Sequence, residues 1–256
     1  MYTIDTPGIS DDFNNAWCFA GQELTKQGQG SLNWINSTIA PSLVDHLSFR
    51  LGNQIFSVLI DVVDWKGSHS LLQIERDRQL LFCQKHNLIP TTFTIRHTSA
   101  EGLVKESQGW NLRLTDSGEI LNPVTLITED NIPMSSWEVH DFGVQFVKNY
   151  LTQTGNSVTA CQSMLDVDPT IWFESQGKQF FVIVRTSAYP ANAPARPSNL
   201  QTIKDELMNK RGVSGGYYAH VGLANAQDPF LPNGECALPL LRGHAMYVKF
   251  TGLEAI

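Results

Sequence analysis

The most ligand-like cluster in the second half of this sequence is Arg242 and His244, set beside the turn PLLRG (239–243) and followed closely by Tyr247 and Lys249. A guanidinium and an imidazole at a turn can grip an anionic group, which makes Arg242 and His244 candidate binding residues. The competing reading is structural, with Arg242 tying the turn to a carboxylate and His244 packing on the strand. Other short motifs lack the context that their chemistry needs. Gly212-Val213-Ser214-Gly215-Gly216 has the spacing of a nucleophile elbow, but a helical pattern precedes it and a strand pattern follows, the reverse of what the elbow requires. It is expected to end a helix and turn the chain. Gly28-Gln29-Gly30 follows a helical pattern and lacks the third glycine of a phosphate-binding loop, so it too reads as a helix end. The loop DPFLPNG (228–234) could lie over a pocket. Cys18, Cys83, Cys161 and Cys236 stand singly, with no Cys-x-x-Cys pair, and are expected to be reduced core thiols. Trp65, Trp110, Trp137 and Trp172 are spread one per element, as core anchors are.

Composition narrows the classes. A chain of 256 residues, 42% hydrophobic and 17% charged, can bury one large core or two ordinary ones. A net charge of −7 with only 18 unclustered Lys and Arg does not favour nucleic acid as a partner. No apolar run approaches a membrane span and the start MYTIDTPGISDDF carries no basic leader, so the expected setting is cytoplasmic, with a protein or small-ligand partner and no membrane.

The elements that must position these residues come in two similar series. Phe13, Trp17, Ala20 and Leu24 recur at helical spacing, as do Val139, Phe142, Phe146, Val147 and Tyr150 behind the capping box Ser135-x-x-Glu138. The two helix ends read LTKQG (24–28) and LTQTG (151–155). Each series continues with an Asp, a short extended run, a glycine turn and a β-prone run, Asp45-HLSFRL-Gly52-NQIFSVLIDVV and Asp168-PTIWFESQ-Gly177-KQFFVIVRTS. Matching the glycines, 177 − 52, gives an offset of 125. A second helix follows, built on Leu71, Ile74, Leu81 and Phe82 in one series and opened by the box Ser198-x-x-Gln201 in the other. Strands IPTTFTIR (89–96) and GYYAHVGL (216–223) come next. The expectation is an α/β fold made by tandem duplication, with mixed β-sheets flanked by helices, repeat 1 over 1–125, repeat 2 over 135–256 and a linker between.

The order helix, Asp-bearing strand, hairpin, strand, helix, strand resembles the core of the PD-(D/E)xK nuclease-like superfamily, most clearly across 137–223, where Asp168-Pro169 leads one strand and FFVIVR is the next. In active members the corresponding Asp and an acid two residues before a Lys hold a divalent cation such as Mg²⁺, which stabilises charge during phosphodiester hydrolysis. Here Ile183-Val184-Arg185 stands where acid-x-Lys is required, so the resemblance implies a degenerate site at Asp168 and Arg185. Asp45 matches Asp168 in the first series, and a rearranged metal site could be drawn from Glu23, Asp45 and Asp61. The expected function is a non-catalytic binding or interaction module without a cofactor. A metal-dependent phosphodiesterase or nuclease using Mg²⁺ is the alternative. Asp168 and Arg185 are expected to meet as an ion pair across their hairpin.

Overall fold

A computed structural model describes residues 11–36, 46–64, 66–98, 102–165, 167–191, 196–209, 212–228 and 238–256. The chain divides into two units, Met1–Asp130 and Asn131–Ile256.

In unit 1, helix α1 (Asp11–Gly28) precedes β1 (Asn33–Asn36), β2 (His46–Leu51), β3 (Gln54–Val63), α2 (Gln73–His86), β4 (Ile89–Thr98), β5 (Gly102–Lys105), β6 (Leu112–Leu114) and β7 (Ile120–Leu121). Unit 2 runs α3 (Ser136–Gln153), β8 (Ser157–Cys161), β9 (Ile171–Ser175), β10 (Lys178–Ala188), α4 (Leu200–Met208), β11 (Val213–Asn225), β12 (Met246–Phe250) and β13 (Glu254–Ala255). The sheets are ordered β1-β2-β3-β4-β6-β7, with β5 on β4, and β12-β11-β10-β9-β8, with β13 on β11. Both are mixed sheets of the α/β class. Read from β1 and from β8, the first four pairings have the same senses: antiparallel, antiparallel, parallel, antiparallel. The closing strands differ, because β7 pairs with β6 whereas β13 returns to β11.

Each sheet buries one face under its first helix. Ala16, Trp17, Ala20 and Leu24 of α1 pack with Phe56, Val58 and Ile60 of β3, where Phe49 and Phe56 stack at 5.1 Å. Val144, Val147 and Leu151 of α3 pack with Val182 and Val184 of β10. Each of the buried Leu, Val, Ile and Phe side chains among these contributes on the order of 2 kcal/mol. Helix α3 comes so near the sheet that a Cβ on Gly143 would stand 2.3 Å from Thr186 Cγ2.

These buried faces correct the offset of 125. The helical stripes align at 127, with Trp17, Ala20 and Leu24 matching Val144, Val147 and Leu151. The central strands align at 124, since 182 − 58 and 184 − 60 both give that value. The cause is the hairpin turn. Leu51 pairs with Gln54 around Gly52-Asn53, and Ser175 pairs with Lys178 around Gln176-Gly177. In the first turn only Gly52 has a positive φ, 60°, whereas in the second both Gln176 at 51° and Gly177 at 73° do. A type II′ turn takes glycine at its first central position and a type I′ turn favours it at the second. The two glycines are therefore not equivalent, and matching them slips one strand by a residue, which exchanges its faces. With the slip removed, Asp61 holds in β3 the place that Arg185 holds in β10 (185 − 61 = 124).

Three further expectations change. Of the stripe Leu71, Ile74, Leu81 and Phe82, Ile74 and Leu81 are 55% and 67% exposed while Leu71 and Phe82 are half-buried, and α2 instead buries Gln79, Cys83 and His86. The sheet beneath is polar: Gln79 Nε2 donates to Ser57 O at 2.9 Å and Thr91 O at 3.0 Å, while Thr115 Oγ1 donates to Gln79 Oε1 at 2.7 Å. Helix α4 has Asn199 at its N-cap and no side-chain cap bond, so the Ser198 box is not formed. The expected linker is built into both units. Leu121 is buried, Asn53 Nδ2 donates to Thr128 Oγ1 and to Asp130 O, and further along Met134 N donates to Leu240 O. Among the cysteines, Cys83 is buried, Cys161 half-buried and Cys18 exposed, while Cys236 lies outside the described residues, as does Trp65.

Candidate functional site

The positions singled out by the resemblance meet as an ion pair. Arg185, on the face of β10 turned to α4, donates from Nη1 to Asp168 Oδ1 at 2.9 Å and from Nη2 to Oδ2 at 2.6 Å. Both carboxylate oxygens are engaged, and a third bond runs from Nη1 to Val184 O at 2.9 Å. The pair is largely desolvated, with the two side chains 20% and 10% exposed. Ile183, two positions earlier, is fully buried among Phe181, Leu207 and Tyr218, in the place of the required acid. These residues do not fit a Mg²⁺ site, because one ligand is a hydrocarbon and the other is neutralised by a guanidinium. Beside the pair, Arg185 registers with His220 on β11, and His220 Nε2 lies 2.9 Å from Ser187 Oγ. Burial, with Lys249 nearby, holds the His220 imidazole below its ordinary pKa of 6.5.

In unit 1 the two described members of the rearranged set, Glu23 and Asp61, are each engaged by cationic or imidazole side chains. Glu23 pairs with Lys26 at 2.5 Å and Lys105 at 3.0 Å, and these contacts hold its carboxyl below the ordinary value. Asp61, 1% exposed, pairs instead with His69 Nδ1 at 2.6 Å and Arg76 Nη2 at 3.3 Å, while its Oδ1 accepts from Leu71 N at 3.2 Å. Asp45 lies outside the described residues. Among the described residues no group of three or more His, Cys, Asp or Glu side chains could hold a metal ion.

The Arg242 and His244 pair separates. Arg242 is buried and binds Glu138 of α3 in a fork, Nε to Oε1 at 2.7 Å and Nη2 to Oε2 at 2.9 Å. Glu138 Oε2 also accepts from Ser135 N at 2.8 Å, so the capping box and the ion pair share one carboxylate. His244 is exposed on the turn. Arg242 is therefore a structural tie. Of the 228–234 loop only Asp228 is described, and its Oδ2 accepts from Leu238 N at 2.9 Å. The first glycine motif ends a helix, since α1 stops at Gly28 with Gln29 and Gly30 at φ 46° and 86°. The second does not: α4 closes at Met208 with Asn209 as its C-cap, and Gly212, at φ 91°, leads into β11, which contains the rest of the motif.

Residues 137–256, nearly all of unit 2, match the model of a family described as Domain of unknown function (DUF8840). No curated protein and no solved structure matches the chain.

Sequence reading missed His69, Arg76 and the Ser187 to His220 contact. The first two are set by a loop whose path no local motif reports, and the last by the register of two parallel strands. It also missed Asp141, a 4% exposed carboxyl on α3 whose Oδ1 accepts no hydrogen bond among the described residues. Burial pushes Asp141 from the ordinary 3.8 up to about 6, against the opposing pull of Ser163, Gln145 and Lys148. Its folded value exceeds the unfolded one, so the stability linked to this proton is complete below about pH 4 and is lost as the pH rises through about 6. Asp141→Asn is expected to stabilise the protein at pH 7.5 by on the order of 2–3 kcal/mol and to leave it little changed at pH 4, as measured by urea unfolding at the two pH values.

Proposed function

We propose that the chain is a non-catalytic binding or interaction module, made by duplication of a nuclease-like unit whose catalytic position has been converted to structure. The observation that carries this reading is the forked Asp168 to Arg185 pair, which commits both oxygens of the carboxylate where a metal ligand would be needed. The shared strand order and pairing senses support duplication, and the net charge of −7 favours a protein or a small molecule over nucleic acid as the partner. Unit 1 has the opposite charge at the corresponding place, Asp61, which is paired with Arg76 and hydrogen-bonded to His69.

The test is cleavage of single- and double-stranded DNA and RNA with Mg²⁺ or Mn²⁺, on the wild type, Asp168→Ala and Asp61→Asn. No cleavage above background by any of the three is expected. Cleavage by the wild type that Asp168→Ala or Asp61→Asn abolishes would overturn the reading.

A further inference from the structure

In unit 1, where β3 ends, an oriented titratable side chain stands at a cavity. Parallel strands β3 and β4 finish there side by side, and crevices at the carboxyl ends of such pairs are where α/β sheets receive ligands. A cleft of about 550 Å³ opens at this place, lined by Phe13, Val62 and Leu103 on its apolar side and by Asp64, His69, Ser70 and His97 on its polar side. Cavities of roughly 300–1,000 Å³ hold molecules of drug or metabolite size.

His69 is held in a defined pose. A β-bridge joins Val63 to His69, Asp64 N donates to Ser68 O at 3.0 Å, and Ser70 N donates to Val62 O at 2.9 Å. Gly67 allows the turn by taking φ 84°. Asp64 Oδ1 accepts from Lys66 N and Ser68 N, both at 2.8 Å, and these bonds, Ser68 first, hold its carboxyl below the ordinary value. Asp61, buried beneath, takes the Nδ1 proton of His69 at 2.6 Å. A carboxylate on Nδ1 fixes the tautomer and leaves Nε2 as an acceptor, and the side chain is 56% exposed. The described lining contains no Lys or Arg and one carboxylate, Asp64, so an anionic ligand would find no counter-charge there.

We propose that this cleft is a ligand site for an uncharged aromatic molecule bearing an O–H or N–H donor, recognised by His69 Nε2 with Asp61 as the positioning residue. The proposal rests on the binding-module reading and names the ligand class for it. Phe13, Val62 and Leu103 would take the ring, and Ser70, whose Oγ already accepts from Val62 N at 2.8 Å, has its own proton to give.

The test uses the full chain at pH 8 with three probes, phenol, anisole and benzoate, read by NMR of the His ring nitrogens and by titration. Phenol is expected to shift the His69 Nε2 signal and to bind about tenfold tighter than anisole, the equivalent of one hydrogen bond. Benzoate is expected to be weaker than both. In His69→Phe, phenol should fall to the anisole level while anisole binding persists, which also shows that the cleft is still formed. Equal binding of phenol and anisole, preference for benzoate, or no binding by any probe would overturn the proposal. Should His69→Phe fail to fold, the wild-type Nε2 shift decides. Nuclease cleavage would sink the non-catalytic reading without touching the probe ranking, so the two failures are distinguishable.

Discussion

Glu138→Ala is expected to cost about 3–5 kcal/mol of folding free energy, the largest loss of any single polar substitution in unit 2. The side chains of Glu138 and Arg242 are 3% and 1% exposed. Removing the acid takes the opposing charge and both forked bonds from a guanidinium that is 1% exposed, and breaking a buried pair from one side costs more than the net value of the intact pair. The same change takes the reciprocal bond from Ser135 N, so the first turn of α3 loses its cap, worth about a further 1 kcal/mol. The double variant Glu138→Leu with Arg242→Met should recover most of the loss, because a hydrocarbon pair of similar volume needs no solvation. Urea unfolding of the three variants checks this, and a Glu138→Ala loss under about 1 kcal/mol would show that Arg242 finds water or another acceptor.

Arg185→Ala is expected to be the second largest, at about 2–4 kcal/mol, below the fully buried case because the pair keeps some solvent contact. Asp168→Ala should cost less than Arg185→Ala, since Arg185 retains its bond to Val184 O whereas Asp168 left alone loses both donors. A double-mutant cycle is the suitable readout. A coupling of roughly 1–3 kcal/mol is expected, and additivity within about 0.5 kcal/mol would mean that the two groups are solvated independently. Neither substitution is expected to change any nucleolytic reading.

What could be foreseen from the sequence follows the range of each interaction. The Ser135 to Glu138 capping box spans three residues and was legible as it stands. The contact between Asp168 and Arg185 was legible because one hairpin with a recognisable turn brings them together. The twofold series of elements was visible too, but not its register: the glycine that marks each hairpin sits first in one turn and second in the other, so the most conspicuous match in the sequence is the misleading one. With the faces exchanged, Asp61 looked like a stray acid when it occupies the position of Arg185. The α2 pattern failed for another reason. Leu71, Ile74, Leu81 and Phe82 read as the inward stripe on hydrophobicity, yet the sheet under α2 offers Ser57 and Thr91, and Gln79 satisfies their carbonyls. Which face a helix buries depends on what lies below it, and that is known only once the strands are paired. His69 belongs with these: its partner Asp61 is eight positions away, but across a loop whose shape depends on a bridge to Val63.

The attachment of α2 through amide and hydroxyl groups sets how unit 1 breathes. Helix α1 is fastened by apolar surface, whose contribution weakens on cooling and changes little with local rearrangement of water. Helix α2 buries only Gln79, Cys83 and His86, and the bonds of Gln79 are ones that water can replace once the helix lifts, while its outward Ile74 and Leu81 lose nothing by doing so. The first partial opening of this unit is therefore expected to be the departure of α2 from its sheet with α1 still seated, which hydrogen exchange would show as lower protection of the α2 amides than of the α1 amides. Because Arg76 rides on that helix, each such opening also removes the guanidinium paired with Asp61, so the fluctuations of α2 reach the His69 cleft directly.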